Sequence, residues 1–204
     1  MIDQALREEF EKLQVPLEQL NKAVLQLSQS VLSKRKINYH SVQGRVKDFD
    51  SFREKIRRKR FIDPFNDVRD LVGVRLVCRF RPEIEKAATA IKDTFIILEE
   101  DNQMEGNSPD NFGYMAFHLT AKLKDSQVDP TLEEVKRVPF EVQIRTIAQD
   151  AWATISHYLD YKKESEIPAR LRRDFHALSG LFYIADIHFA MLTEEKAKGI
   201  GDDL

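Results

Sequence analysis

The sequence predicts an α+β domain in which a β-sheet is flanked by helices and bounded at both ends by amphipathic helices. Period-two alternation is the first observation behind this: Asp70–Phe80, Gly113–Leu123 and Phe140–Arg145 each place apolar residues on one side and polar ones on the other. Helical spacing of apolar residues between and after those stretches is the second. The third is a four-three seam at each end, through Leu6, Phe10, Leu13, Leu17, Leu20, Val24, Leu27 and Val31, and again through Leu171, Phe175, Leu178, Phe182, Ala185, Phe189 and Leu192. With 204 residues the chain can bury a sizeable core and is expected to form one domain: a helical arm over 1–40, a core over 41–163 and C-terminal helices over 164–204.

Taken in order, the first seam, from Leu6 to Val31, makes the helical arm, with Pro16 implying either a kink or a junction of two helices. Packing on its own domain and service as an oligomer interface both fit this arm. Beyond Lys34-Arg35-Lys36, Gly44 suggests a break, and Ser51-x-x-Glu54 is a capping box opening a short helix on which Lys55, Arg58 and Lys59 share a face. Asp70–Phe80 is a strand with Val72, Val74, Leu76, Cys78 and Phe80 on one face and Gly73, Arg75 and Arg79 on the other. Pro82–Phe95 is a helix that turns Ile84, Ala87, Ala88 and Ile91 inward. Phe95–Leu98 is a short strand, and Glu99–Phe112, without periodicity, is a loop. In Gly113–Leu123, Met115, Phe117, Leu119, Ala121 and Leu123 oppose Tyr114, His118, Thr120 and Lys122. After a second connection over Asp125–Arg137, Phe140, Val142 and Ile144 alternate with Glu141, Gln143 and Arg145. Thr146 then caps a helix whose Ile147, Ala151, Ile155 and Leu159 form a stripe suited to packing on the sheet. The last seam, after Pro168, is one long amphipathic helix or two, and Gly199–Leu204 is expected to fray.

If the three alternating strands share one buried face, Arg75, Tyr114, His118, Glu141 and Arg145 converge on the opposite one. Charged residues on a half-buried strand ordinarily form a solvated face. A surface that is at once cationic, aromatic and carboxylate suits a nucleotide better than it suits water alone. The basic residues point the same way: Arg45 to Arg60 carries eight basic and three acidic residues, whereas Glu99 to Asp110 carries five acids and no base. Such a run is either a solvated face or a site for a polyphosphate, whose charges these cations would offset.

The net charge of −2 singles out no class of partner. Cys78 is the only cysteine, so an intrachain disulfide and a cysteine-rich metal site are both excluded, and a reducing compartment fits. The N-terminus carries acids where a signal peptide needs a basic start, and no apolar run approaches the ~18 residues of a membrane span. A cytoplasmic protein without a membrane partner is expected.

Five stretches in sequence resemble the synthetase domain of the RelA/SpoT-type alarmone synthetases, most closely the small stand-alone ones: GRVK at Gly44–Lys47, EK-x-RRK at Glu54–Lys59, DLVGVR at Asp70–Arg75, GY-x-x-x-H at Gly113–His118, and EVQIRT with WAT-x-x-H-x-L-x-YK from Glu141 to Lys162. The resemblance implies a mixed, nucleotidyltransferase-like sheet and transfer of the pyrophosphate of ATP to the 3′-hydroxyl of GDP or GTP. By matching position it implies Arg45, Lys47, Lys55 and Arg58 on the ATP phosphates and Arg75 stacked on adenine. Asp70 would bind Mg2+, and Glu141 would assist the metal and activate the hydroxyl. Tyr114 would stack on guanine, with His118, Gln143, Arg145 and Asp150 completing the acceptor side.

The chemistry asks for the same residue types. Mg2+ takes hard carboxylate oxygens, a ribose hydroxyl needs a carboxylate in reach to accept its proton, and charge on the transferred group needs fixed cations. The family's usual G-Y-R-S-x-H reads GYMAFH here, and the Glu usual before the helix His is Ser156. Both departures fall on the acceptor side. A tRNA 3′ end or an adenine nucleotide therefore stands as an alternative acceptor, and a non-catalytic nucleotide- or RNA-binding module as a further alternative. Helices before and after the core present more apolar surface than a small sheet covers, so a closed homo-oligomer is expected, a tetramer before a dimer.

Overall fold

The computed structural model describes residues 2–102, 116–159 and 167–199. Five strands, β1 (Tyr39–Val46), β2 (Val72–Cys78), β3 (Ile96–Asn102), β4 (Phe117–Lys122) and β5 (Phe140–Thr146), form one sheet in the order β1-β2-β5-β4-β3. β2 and β5 run parallel and every other neighbouring pair antiparallel, so the sheet is mixed, as expected. Its helices are α1 (Ile2–Lys34), α2 (Phe49–Lys59), α3 (Pro64–Asp67), α4 (Pro82–Thr94), α5 (Ile147–Tyr158) and α6 (Ala169–Gly199).

One face of the sheet is the core. Val72, Val74, Leu76 and Cys78 of β2, Leu119 and Ala121 of β4, and Phe140, Val142 and Ile144 of β5 are buried there under α1 and α4. α4 contributes Ile84, Ala87, Ala88 and Ile91 as the sequence predicts. α1 is continuous with Pro16 inside it, and its Leu17, Leu20, Val24 and Leu32 are fully buried. Each such side chain stabilises the fold by about 2 kcal/mol relative to exposure. The N-terminal seam is thus buried against the chain's own sheet.

Several local expectations are corrected. Gly44 is not a break; it lies in mid-strand opposite Val74. A Cβ there would stand 2.2 Å from Asn21 Oδ1, so the glycine marks the close approach of α1 to β1. α2 is capped not at Ser51 but at Asp48, whose carboxylate accepts from the Ser51 backbone N–H at 2.9 Å. Both are good N-cap residues, and the helix starts at the earlier one, as soon as the chain leaves β1. Phe52 seats α2, with its ring 5.1 Å from that of Phe10 and 5.2 Å from that of Phe65.

β3 continues through Glu99, Glu100 and Asp101 into what was expected to be a loop. Pairing with β4 supplies its backbone partners, and charges are what an edge strand carries. The rest of that expected loop, to Phe112, lies outside the described residues.

On α5 the stripe expected to face the sheet faces outward: Ile147, Ile155 and Leu159 are exposed, while Gln149, Trp152 and Ala153 are buried. The reason is α6, a single helix whose Phe175 and Phe182 rings lie 4.7 and 5.8 Å from Trp152. Packing against a distant helix, invisible to local periodicity, selects the inward face. α6 covers only part of its own seam, leaving Leu178, Phe189 and Leu192 exposed. By length and composition alone α6 is apolar enough to cross a membrane, contrary to the expectation that no segment approaches a span.

Candidate active site

The uncovered face of the sheet gathers the polar residues by register. Gln43, Arg75, Gln143, His118 and Asp101 follow one another across β1, β2, β5, β4 and β3. Arg45, Gly73, Glu141, Thr120 and Glu99 form the next row. Period two on each strand puts both rows on one side, as the sequence predicts.

Along β5 the polar side chains form a chain of hydrogen bonds. Arg145 Nη2 donates to Gln143 Oε1 at 2.9 Å, and Gln143 Nε2 donates to Glu141 Oε2 at 2.7 Å. From β4, His118 Nδ1 lies 3.1 Å from the other oxygen, Oε1. Burial raises the Glu141 pKa, but His118 and Gln143 outweigh it, so the carboxyl sits below its ordinary value even with the charge of Asp70 opposing them. An ionised carboxylate only accepts, so His118 donates from Nδ1.

Asp70, just before β2, is held by two lysines: Lys47 Nζ at 3.1 Å and Lys55 Nζ at 2.9 Å. Burial works against its charge, and the two ammonium groups more than offset burial, so its pKa is lowered as well. Lys55 reaches Asp70 because the Phe10-Phe52-Phe65 cluster fixes α2 beside the strand entrance. Arg58, one turn on, remains exposed.

At the other end of the site Arg145 is 3% exposed. Burial, Arg75 and Arg45 push its pKa down to about 10 against the pull of Asp150, so it stays charged at neutral pH. Asp150, in the first turn of α5, stands 3.4 Å from Arg75 and 3.7 Å from Arg145. A pocket of about 200 Å3 opens among these groups, lined by Gln43, Gly44, Arg45, Gly73, Val74, Arg75, Glu141 and Gln143.

Of the expected site residues, Arg45, Arg75, Glu141 and Gln143 meet in that pocket, His118, Arg145 and Asp150 adjoin it through hydrogen bonds and ion pairs, and Lys47, Lys55 and Asp70 form an ion-paired cluster of their own, from which the charge of Asp70 acts on Glu141. Tyr114 lies outside the described residues. Sequence reasoning missed Gln43, beside Arg75. Its signal was alternation with Arg45, hidden because Gly44 read as a break.

Among the described residues no group of three or more His, Cys, Asp or Glu side chains could hold a metal ion. By donor chemistry alone, Asp70 and Glu141 suit a divalent cation shared with phosphate. Both are ionised and oxygen-only, and Mg2+ commonly takes one or two carboxylates, with substrate phosphates and water supplying the rest.

The profile of the region found in RelA / SpoT proteins matches residues 44–166. The chain belongs to the RelA/SpoT family. Within that family it is 35% identical over 135 residues to the GTP pyrophosphokinase YjbM of Bacillus subtilis, a match covering 64% of this chain and 61% of that relative's length. Its fold matches the small alarmone synthetase 1 of Bacillus subtilis with a TM-score of 0.77, 24% identity, and coverage of 94% and 99% of the two chains. Crystal structures of that synthetase hold the product pppGpp or the ATP analogue AMPCPP. A GTP pyrophosphokinase family protein of Streptococcus pneumoniae matches with a TM-score of 0.79, 22% identity, and coverage of 94% and 96%.

Proposed function

We propose that this chain transfers the pyrophosphate of ATP to the 3′-hydroxyl of GDP or GTP, making guanosine tetra- or pentaphosphate. The observation that carries the reading is Glu141, an ionised carboxylate directly across from Gly73, with the Arg45–Arg75 pocket beside it and Asp70, itself paired to Lys47 and Lys55, near enough for its charge to be felt. A lone carboxylate on this face would repel phosphate. A carboxylate kept ionised by His118 and Gln143, with the Arg45 and Arg75 guanidinium groups beside it, can instead take a proton next to a polyphosphate.

In this mechanism the acceptor's ribose 3′-oxygen attacks the β-phosphorus of ATP. A bond forms between O3′ and Pβ, the bond from Pβ to the bridging α,β-oxygen breaks, and AMP leaves with that electron pair. Glu141 takes the hydroxyl proton, while His118 and Gln143 hold its two oxygens in place. Lys47 and Lys55, here paired to Asp70, would bind the donor phosphates, with Arg45 and Arg58 assisting. Arg75 holds the adenine, and Gln143, Arg145, Asp150 and Tyr114 serve the acceptor side. Mg2+, held by Asp70 and Glu141, would neutralise the phosphate oxygens during transfer.

The acceptor is tested with γ-labelled ATP and Mg2+ against GDP, GTP, adenine nucleotides and deacylated tRNA in parallel. Label on the guanine nucleotides alone supports the proposal. Label on tRNA or adenine nucleotides transfers it to another acceptor, and label on none removes the activity. Residues 1–204 act in this reading as one synthetase unit, working where its nucleotides are, in the cytoplasm, and assembled as a homotetramer. The exposed Leu181, Ile184, Phe189 and Leu192 of α6 support the assembly.

A further inference from the structure

We propose that Asp186, on α6, is a positioning residue for the transfer reaction: it locks the junction of β5 and α5 and so fixes Arg145 and Asp150 relative to Arg75. The inference rests on the reading of this face as the nucleotide site.

Asp186 is 1% exposed in a helix whose neighbouring positions are apolar. A buried carboxylate is unfavourable unless it is partnered. Burial raises its pKa, while Thr146, Arg81 and Gln149 counter part of that. The partners are linked to one another, and the Thr146 side chain is itself hydrogen-bonded to Asp186. Gln149 N–H donates to Thr146 Oγ1 at 3.2 Å, Thr146 N–H donates to Gln149 Oε1 at 3.0 Å, and Gln149 Nε2 donates to Asp186 Oδ2 at 3.2 Å. Thr146 is fully buried and Gln149 is 3% exposed.

The first two bonds are a complete capping box and would start α5 by themselves. Asp186 adds what the box lacks, an acceptor for the buried Gln149 amide, and brings a carboxylate to the positive end of the helix. The bonds from the Gln149 amide and the Thr146 side chain to Asp186 tie the cap to a distant element of the chain.

The consequence lies one residue to either side. Arg145 directly precedes Thr146, and Asp150 directly follows Gln149. Asp150 meets Arg75 and Arg145 at 3.4 and 3.7 Å, too long for strong hydrogen bonds. Those ion pairs do not lock Asp150; the backbone of the first turn of α5 sets where it stands between Arg75 and Arg145, the latter also held by Gln143. Freed from Asp186, the first turn of α5 can shift, and Arg75 loses its fixed place.

Wild-type protein, Asp186→Ala, Asp186→Asn and a packing control, Phe175→Leu, separate positioning from simple attachment of α6. Phe175 packs on Trp152 and lies about three helical turns before Asp186 along α6. For Asp186→Ala, KM for ATP and the Kd for AMPCPP should rise about tenfold while kcat changes less than about threefold. Backbone amides of residues 146–150 should exchange faster in that variant. Asp186→Asn keeps one acceptor oxygen and should recover most of the affinity. Phe175→Leu should lower Tm and leave KM unchanged. An unchanged KM in Asp186→Ala, or an equal rise in Phe175→Leu, overturns the proposal. If Asp186→Ala does not fold, Asp186→Ser, which can satisfy only one of the two donors, is read in its place by the same criteria. A wild-type protein that transfers nothing refutes the activity itself; AMPCPP binding and amide exchange then still decide the role of Asp186.

Discussion

His118 donates from Nδ1 to Glu141 Oε1 across 3.1 Å, joining β4 to β5 at the carboxylate that faces the pocket. Together with the Gln143 amide on Oε2, this bond fixes both carboxylate oxygens and lowers the pKa of a group that burial alone would raise. Glu141→Gln keeps the shape and removes the base. Transfer should fall by about two to four orders of magnitude, the range assigned to general-base catalysis, while AMPCPP affinity stays close to wild type. Initial rates and calorimetry read the two quantities separately. Unchanged turnover would reject Glu141 as the base.

Asp48 caps the helix that carries Lys55, and Asp48→Ala should destabilise the fold by about 1 kcal/mol. Its folded pKa is lowered, first by the Ser51 backbone hydrogen bond. The unfolded chain therefore binds the proton more readily. The cap's contribution is fully present above the ordinary carboxylate range and is lost as pH falls through the depressed folded value. The Tm gap between wild type and Asp48→Ala should accordingly be constant near neutrality and close at low pH. A gap independent of pH would show that the ionised cap is not its source.

Much of this was legible in the sequence, and the failures share a cause. β2, β4 and β5 alternate apolar and polar residues, with Val77 of β2 the exception, so Arg75, His118, Glu141, Gln143 and Arg145 could be placed on one face before any coordinates. The ties among Lys47, Lys55 and Asp70 could not be read from spacing, because the three come from different elements; only the family motifs brought them together. Gly44, the outward stripe of α5 and the acidic half of β3 were misread because each is decided by a neighbour far along the chain: Asn21, Trp152 with α6, and β4. Asp186 left a faint signal, a single acid in an apolar seam, and no local rule says what it meets.

Gly44→Ala tests the close crossing of α1 over β1. Overpacking against Asn21 should destabilise the chain by about 1–3 kcal/mol, and Asn21→Ala in the same chain should restore much of the loss. Thermal unfolding of the two single variants and the double variant gives the coupling. Additive effects would mean that the two residues do not press on each other.

For the proposed tetramer, Leu181 is a better probe than Phe182, because Leu181 is 61% exposed while Phe182 packs on its own chain's Trp152. Leu181→Glu should drop the mass seen by light scattering toward the 23.8 kDa of one chain without loss of helix content. A wild-type protein already at that mass would refute the assembly.

The most direct test of the central claim is the fate of the donor. Wild-type protein, ATP, Mg2+ and GDP are incubated together, and the nucleotides are separated and quantified over time. Pyrophosphate transfer requires AMP to appear in step with a guanosine carrying two new phosphates on its 3′-oxygen, with both products falling together, by about two to four orders of magnitude, in Glu141→Gln. Appearance of ADP in place of AMP, or ATP left intact beside an active control synthetase, would contradict the account.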